Sequence, residues 1–202
     1  MRSPRLVTTD DWPASELRAA VLAGDLVAVG DCWASVAEPQ DPALRAASFS
    51  WSVGDDRLVA AGRSAAWVWG ACSRPPVPHD VCVPADQRVR RRGDGTRVRE
   101  LAIAIDDVVG LGAVRVLTPL ATVVDLLRAR EAFGAAEARV VRDLMATVPV
   151  AVADVRRAVA DLHQVPMARQ AERRLRALDT GGVDRARQSG AAAQPALTRY
   201  TS

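Results

Sequence analysis

The amino-acid sequence predicts an α+β protein, and three observations carry that expectation. A helical segment followed by a Gly-Asp turn between two β-prone runs occupies the first 40 residues. Short β-prone segments then gather between residues 81 and 117, enough for a small mixed sheet with helices. From residue 118 onward, stretches with helical apolar spacing follow one another and predict a C-terminal helical run.

In the first part, Asp11 or Ser15 can cap a helix carrying Leu17, Ala20 and Val21, and Gly24 ends it. Leu26–Val29 and Cys32–Val36 flank Gly30-Asp31 as a small β-hairpin. A helix followed by a hairpin is the second half of a winged helix-turn-helix. Residues 1–40 are therefore expected to form a degenerate winged-helix module. A Pro-rich connector, 38–45, leads into a helix from about Pro42 to Trp51, and Asp55-Asp56 turns the chain into a short segment at Leu58–Ala61.

Ser64 is placed to cap the segment running through Trp67, Val68 and Trp69 to Gly70. The rings of Trp67 and Trp69, two residues apart, leave a helix on different sides, so one is expected under the sheet and the other partly exposed. Arg74–Pro78 must be extended, since each Pro fixes its own φ and restricts its predecessor.

Strands are expected at 81–83, 97–105 and 113–117, separated by Gly93-Asp94-Gly95 and by Asp106–Gly112. Both Gly-x-Gly triplets, 93–95 and 110–112, read as hairpin turns, because neither ends in the Gly-Lys-Ser/Thr of a phosphate loop. Thr118 as N-cap with Pro119 at the first helical position starts the next helix, whose apolar face is Leu120, Val123, Val124 and Leu127. Asp125 sits among these aliphatics and must be hydrogen-bonded if buried. It is expected to tie the helix to the Arg63-Ser64 segment or to nearby backbone amides. Helices near 134–147, 151–163 and 166–178 complete a core spanning 41–179, and the Gly-, Ala- and Gln-rich residues 180–202 read as a disordered tail.

Composition excludes several classes. Three cysteines, Cys32, Cys72 and Cys82, are odd in number and widely spaced, which argues against a disulfide framework or a metal site. No apolar run reaches the ~18 residues of a membrane span, and the N-terminus lacks the apolar core of a signal peptide. A cytoplasmic protein with no membrane partner is expected. His79 and His163 have no sequence-local acid and nucleophile, and they read as hydrogen-bonded or exposed rather than catalytic. No catalytic residue, metal ligand or cofactor site is assigned, and no enzyme activity is expected.

Charge is distributed unevenly. Residues 1–60 carry five Arg against nine acids, and residues 61–202 carry 22 Arg against 15 acids, with no Lys in the chain. Affinity for polyanions should reside in the second part. Its densest point is 85–99, where Arg88, Arg90, Arg91, Arg92, Arg97 and Arg99 face two Asp. Read as one protruding hairpin, this group suits contact with a phosphate backbone, since the Arg fork binds phosphate bidentately. The same arginines would also serve as a solvated turn that keeps an edge strand from pairing. A second group, Arg169, Arg173, Arg174 and Arg176, reads chiefly as a solvated helix face.

The order of Ser64-Ala65-Ala66-Trp67-Val68-Trp69, the strand before the Arg run, and Thr118-Pro119 with Thr122-Val123-Val124-Asp125 resembles the core of AbiEi-like antitoxins of type IV toxin–antitoxin systems. Leu17–Trp33 matches the framework of that family's helix and wing, but Asp25 and Asp31 stand where relatives are commonly basic. The family's Arg before the Thr-x-x-Asp is Ala121 here. Longer actinobacterial relatives append a Vsr-like nuclease domain, which is not expected in this chain. The resemblance implies an antitoxin-like transcription regulator that binds operator DNA and represses its own operon. Its partner would be a nucleotidyltransferase-type toxin, opposed without a stable complex. The competing expectations are a non-catalytic interaction or scaffold domain, and a regulatory remnant of a nuclease-fused homologue. By the same resemblance, Ser64, Trp67, Trp69, Thr118, Pro119 and Asp125 are framework residues.

Overall fold

Short apolar strand segments build two sheets, one within residues 6–35 and the other within 59–117. A computed structural model describes residues 6–84, 95–162 and 165–178. The chain starts with β1 (Leu6–Val7), α1 (Ala14–Ala23), β2 (Leu26–Val29) and β3 (Cys32–Ser35), and the strands form an antiparallel sheet in the order β1-β3-β2. The helix-plus-hairpin expectation holds here: Val29 faces Cys32 across the Gly30-Asp31 turn. Gly24, with φ of +84°, closes α1 by the paired bonds Gly24 N–H to Val21 C=O and Asp25 N–H to Ala20 C=O.

Neither Asp11 nor Ser15 caps α1. Pro13 stands at the N-cap, and Asp11 instead accepts hydrogen bonds from the Thr8 amide and hydroxyl. The Asp11 carboxylate is thus used one turn too early to reach the helix.

α2 (Pro42–Val53) is capped by Asp41, whose carboxylate accepts the Leu44 amide at 2.8 Å, and Pro42 occupies its first position. It buries Leu44, Ala46 and Phe49. β4 (Val59–Ala60) and α3 (Gly62–Val68) follow, then β5 (His79–Pro84), β6 (Thr96–Leu101), a 3-10 turn at Ile105–Asp107, β7 (Val108–Leu111) and β8 (Val114–Leu117). These strands make one mixed sheet in the order β6-β5-β4-β8-β7. β7 falls where a connector was expected, and the expected strand 97–105 stops at Leu101. The hairpin at Gly112, with φ of +66°, joins β7 to β8 in antiparallel register.

The second expected hairpin does not form. β5 and β6 pair in parallel, with Asp80 beside Arg97 and Cys82 beside Arg99. Parallel pairing excludes a direct antiparallel fold-back of β6 onto β5. Parallel register also sets opposite charges side by side on one face, which an antiparallel fold-back would displace.

α4 (Pro119–Arg128), α5 (Ala135–Thr147), α6 (Val152–Ala160) and α7 (168–178) form the expected helical run. Thr118 caps α4, its hydroxyl accepting the Ala121 amide at 3.3 Å. One apolar cluster runs from Val29 and Ala34 through Phe49 and Trp67 to Val81 and Val116, joining both sheets. A second unites α4 to α7 through Val123, Leu127, Leu144, Val155 and Ala171. Trp67 is 2% exposed at the centre of the first. Burial of a ring of 150–250 Å² at about 25 cal/mol/Å² contributes roughly 4–6 kcal/mol before entropy. Trp69 is half-buried and donates its indole N–H to the Leu117 carbonyl at 2.8 Å, so one Trp lies under the sheet and the other is partly exposed, as predicted. The expected tail, 180–202, lies outside the described residues.

Candidate functional site

The most charged part of the interior lies where α3 begins, between β5–β6 and the start of α4. A helix leaves its first amides without intrahelical partners. At α3 two carboxylates from distant elements take them. Asp125 on α4 accepts the Gly62 amide at 2.9 Å, and Asp80 on β5 accepts the Arg63 amide at 3.1 Å. Negative charge at a helix N-terminus is favoured by the aligned peptide dipoles. Gly62, with φ of +50°, has no room for a side chain: a Cβ there would stand 3.0 Å from Asp80 Oδ2.

Each carboxylate also holds an arginine of β6. Arg99 makes a bidentate pair with Asp125, Nη1 to Oδ1 at 2.9 Å and Nη2 to Oδ2 at 2.6 Å. Burial works against the Arg99 charge, but the Asp125 carboxylate outweighs it and holds the guanidinium above its ordinary pKa. Arg97 donates to Asp80 at 3.2 Å from a half-exposed position. Burial raises the Asp80 carboxyl above the usual range, against the opposing pull of the Arg63 amide and of Arg97 and Arg99. Asp80 and Asp125 thus join β5, β6, α3 and α4 through one polar network.

Asp125 therefore does what its place among aliphatics predicted. It is 5% exposed and ties α4 to the backbone just before Arg63-Ser64. Ser64 does not cap α3, which begins two residues earlier. Its buried hydroxyl accepts the Asp80 amide at 2.8 Å, fixing the strand to the helix instead. Thr122 hydroxyl donates to the Leu117 and Thr118 carbonyls, satisfying a second polar group on the buried face of α4.

Of the six arginines assigned to nucleic-acid contact, Arg97 and Arg99 stand on β6 in the pairs just described. Arg88, Arg90, Arg91 and Arg92 lie outside the described residues, as do Gly93-Asp94 and His163. Sequence reasoning missed Asp80, whose role depends on the parallel register, and Gly62. It also placed Arg174 on a solvated face. Arg174 instead caps the end of α4, donating to the Leu127, Ala129 and Glu131 carbonyls at 2.7–2.9 Å, with its guanidinium 4.8 Å from the Phe133 ring centroid. Arg45 does the same at α3, donating to the Trp67 and Cys72 carbonyls.

His79 is neither exposed nor fully hydrogen-bonded. It is 5% exposed, edge-on to Phe49 with ring centroids 5.4 Å apart, and Nδ1 has no partner among the described residues. Nε2 is 3.9 Å from the Asp31 carboxylate on the β2–β3 turn. Burial lowers the His79 pKa, against the opposing pull of Asp31 and Asp80. All three cysteines are free. Among the described residues no group of three or more His, Cys, Asp or Glu converges as a metal-ligand set, and no helix is long and apolar enough to cross a membrane.

The fold and site define an α+β protein with a carboxylate–arginine network at a helix N-terminus. No protein-family model matches the chain, and no curated protein matches it. Among solved structures it is similar to the crystal structure of the RV2827C protein from Mycobacterium tuberculosis. The two share 22% identity and a TM-score of 0.46, over 87% of this chain and 72% of that one.

Proposed function

We propose that the protein is an antitoxin-like transcription regulator that holds the phosphate backbone of its operator through the arginine-rich segment between β5 and β6. The observation that carries this reading is the density of that segment: Arg88, Arg90, Arg91 and Arg92 within five residues. Arg97 and Arg99, at the base of the same segment, are already matched by Asp80 and Asp125. Their phosphate contribution is secondary, and they tie β6 to β5 and to α4. Contacts of this kind set affinity and register without reading bases. Repression of its own operon, opposite a nucleotidyltransferase-type toxin, follows from the family resemblance. A gel shift on the protein's own upstream region at two salt concentrations tests it. Retarded DNA that is released at the higher salt supports the reading, and no shift at the lower salt opposes it.

A second reading, an interaction domain without DNA binding, draws on the N-terminal part. It is acidic, and Trp12, Leu22 and Val36 are 54%, 89% and 55% exposed there. The absence of a gel shift, with the protein folded, favours this alternative.

A further inference from the structure

Beside the N-terminus of α3 lies a cavity of about 180 Å³, bounded by the β5–β6 face and by the α4–α5 connection. Its inner wall is chemically complete, since Asp80 and Asp125 both have hydrogen-bond partners. Its rim is not. There two guanidiniums and two carboxylates meet in pairs too long for hydrogen bonds: Arg97 Nη1 to Glu131 Oε1 at 3.9 Å, and Arg63 Nη1 to Glu137 Oε1 at 4.0 Å. All four side chains are between 33% and 59% exposed. Pairs of that length and exposure contribute little to stability. Arg97 Nη1 also donates to Asp80, and Glu137 Oε2 accepts the Gly134 amide, so it is the remaining guanidinium donors and carboxylate oxygens of the four that line one space. Leu126 and Phe133 supply an apolar wall, and Arg174 packs on the Phe133 ring.

We propose that this cavity binds a small zwitterion of the α-amino acid class. The ligand carboxylate would meet Arg63 and Arg97, its ammonium Glu131 and Glu137, and its side chain Phe133 and Leu126. The mixed rim selects this class. A simple anion would gain two arginines but approach two glutamates, and a simple cation would meet the reverse. A ligand bearing both charges a few ångströms apart answers both pairs at once, with charge-assisted hydrogen bonds in place of loose contacts. The inference is independent of DNA binding, because it uses none of Arg88–Arg92.

Titration calorimetry of the full chain against the proteinogenic amino acids tests it. Each amino acid that binds is compared with its matched carboxylic acid lacking the amine and its matched amine lacking the carboxylate. At least one amino acid should bind saturably, about tenfold or more tighter than either analogue, as loss of one charge-assisted hydrogen bond implies. Glu131→Gln and Arg63→Gln should each weaken it by about the same factor. No saturable binding by any amino acid, equal binding of the analogues, or unaltered binding by both variants would overturn the proposal. If a variant fails to fold, the analogue comparison on the unaltered chain decides.

Discussion

Replacing Asp125 by Asn is the sharpest structural perturbation available. Asp125 is 5% exposed and serves three donors: both Nη groups of Arg99 and the Gly62 amide. Asn keeps one oxygen for Gly62 but leaves Arg99 without its counter-charge. Removing one member of a buried pair costs about 3–5 kcal/mol. The Arg99 side chain is 28% exposed and can recover some hydration. The lower end, about 3 kcal/mol, therefore applies to Asp125→Asn. Asp125→Ala also strands the Gly62 amide and adds about 1 kcal/mol. With a urea slope near ~2 kcal/mol/M, the midpoint falls by about 1.5 M for Asn and about 2 M for Ala. In a double-mutant cycle, Arg99→Met in the Asp125→Asn background should cost much less than in the unaltered chain, with coupling of about 2 kcal/mol. A midpoint shift below about 0.5 M for Asp125→Asn would show that the network does not hold α3, α4 and β6 together.

Three further outcomes follow from the same geometry. Gly62→Ala forces a Cβ against Asp80 in a left-handed conformation, and should lower stability by at least about 1–2 kcal/mol in urea unfolding. His79 has a folded-state pKa depressed by burial, so the unfolded chain takes up its proton first. The associated stability is intact above the ordinary histidine value of 6.5 and is lost as pH falls below it; His79→Phe should flatten that slope in pH-dependent thermal melts. Burial pushes the Cys82 thiol up to about 12 and raises those of Cys32 and Cys72 as well. Half-buried Cys72 should therefore react first with a thiol reagent at neutral pH, with Cys32 and Cys82 labelled only on unfolding, as read by mass spectrometry.

What the sequence disclosed depended on how local each signal was. Thr118-Pro119 opens α4 because an N-cap and a fixed φ act within one turn. Gly24 and the Gly30-Asp31 turn were legible for the same reason. The role of Asp125 was inferable because an acid on an apolar face must find donors, although Arg99 could not be named. What failed was long-range. Gly93-Asp94-Gly95 looks the same whether the next strand returns antiparallel or crosses to lie parallel, and only the register brings Asp80 beside Arg97. Ser64 could equally cap a helix or, two residues inside it, accept from a neighbouring strand. Arg174 carries no mark that distinguishes a solvated arginine from one closing the end of another helix.

In the proposed function the Arg88–Arg92 segment supplies the DNA-backbone contact while the β6 arginines serve the fold. Fluorescence anisotropy of upstream DNA against salt concentration, for the unaltered chain and for the triple change Arg90→Ala, Arg91→Ala, Arg92→Ala, tests it directly. The magnitude of the log–log salt slope should fall by about 3, roughly one unit per arginine, with the thermal unfolding midpoint unchanged. An unaltered slope and affinity in the triple variant would contradict it.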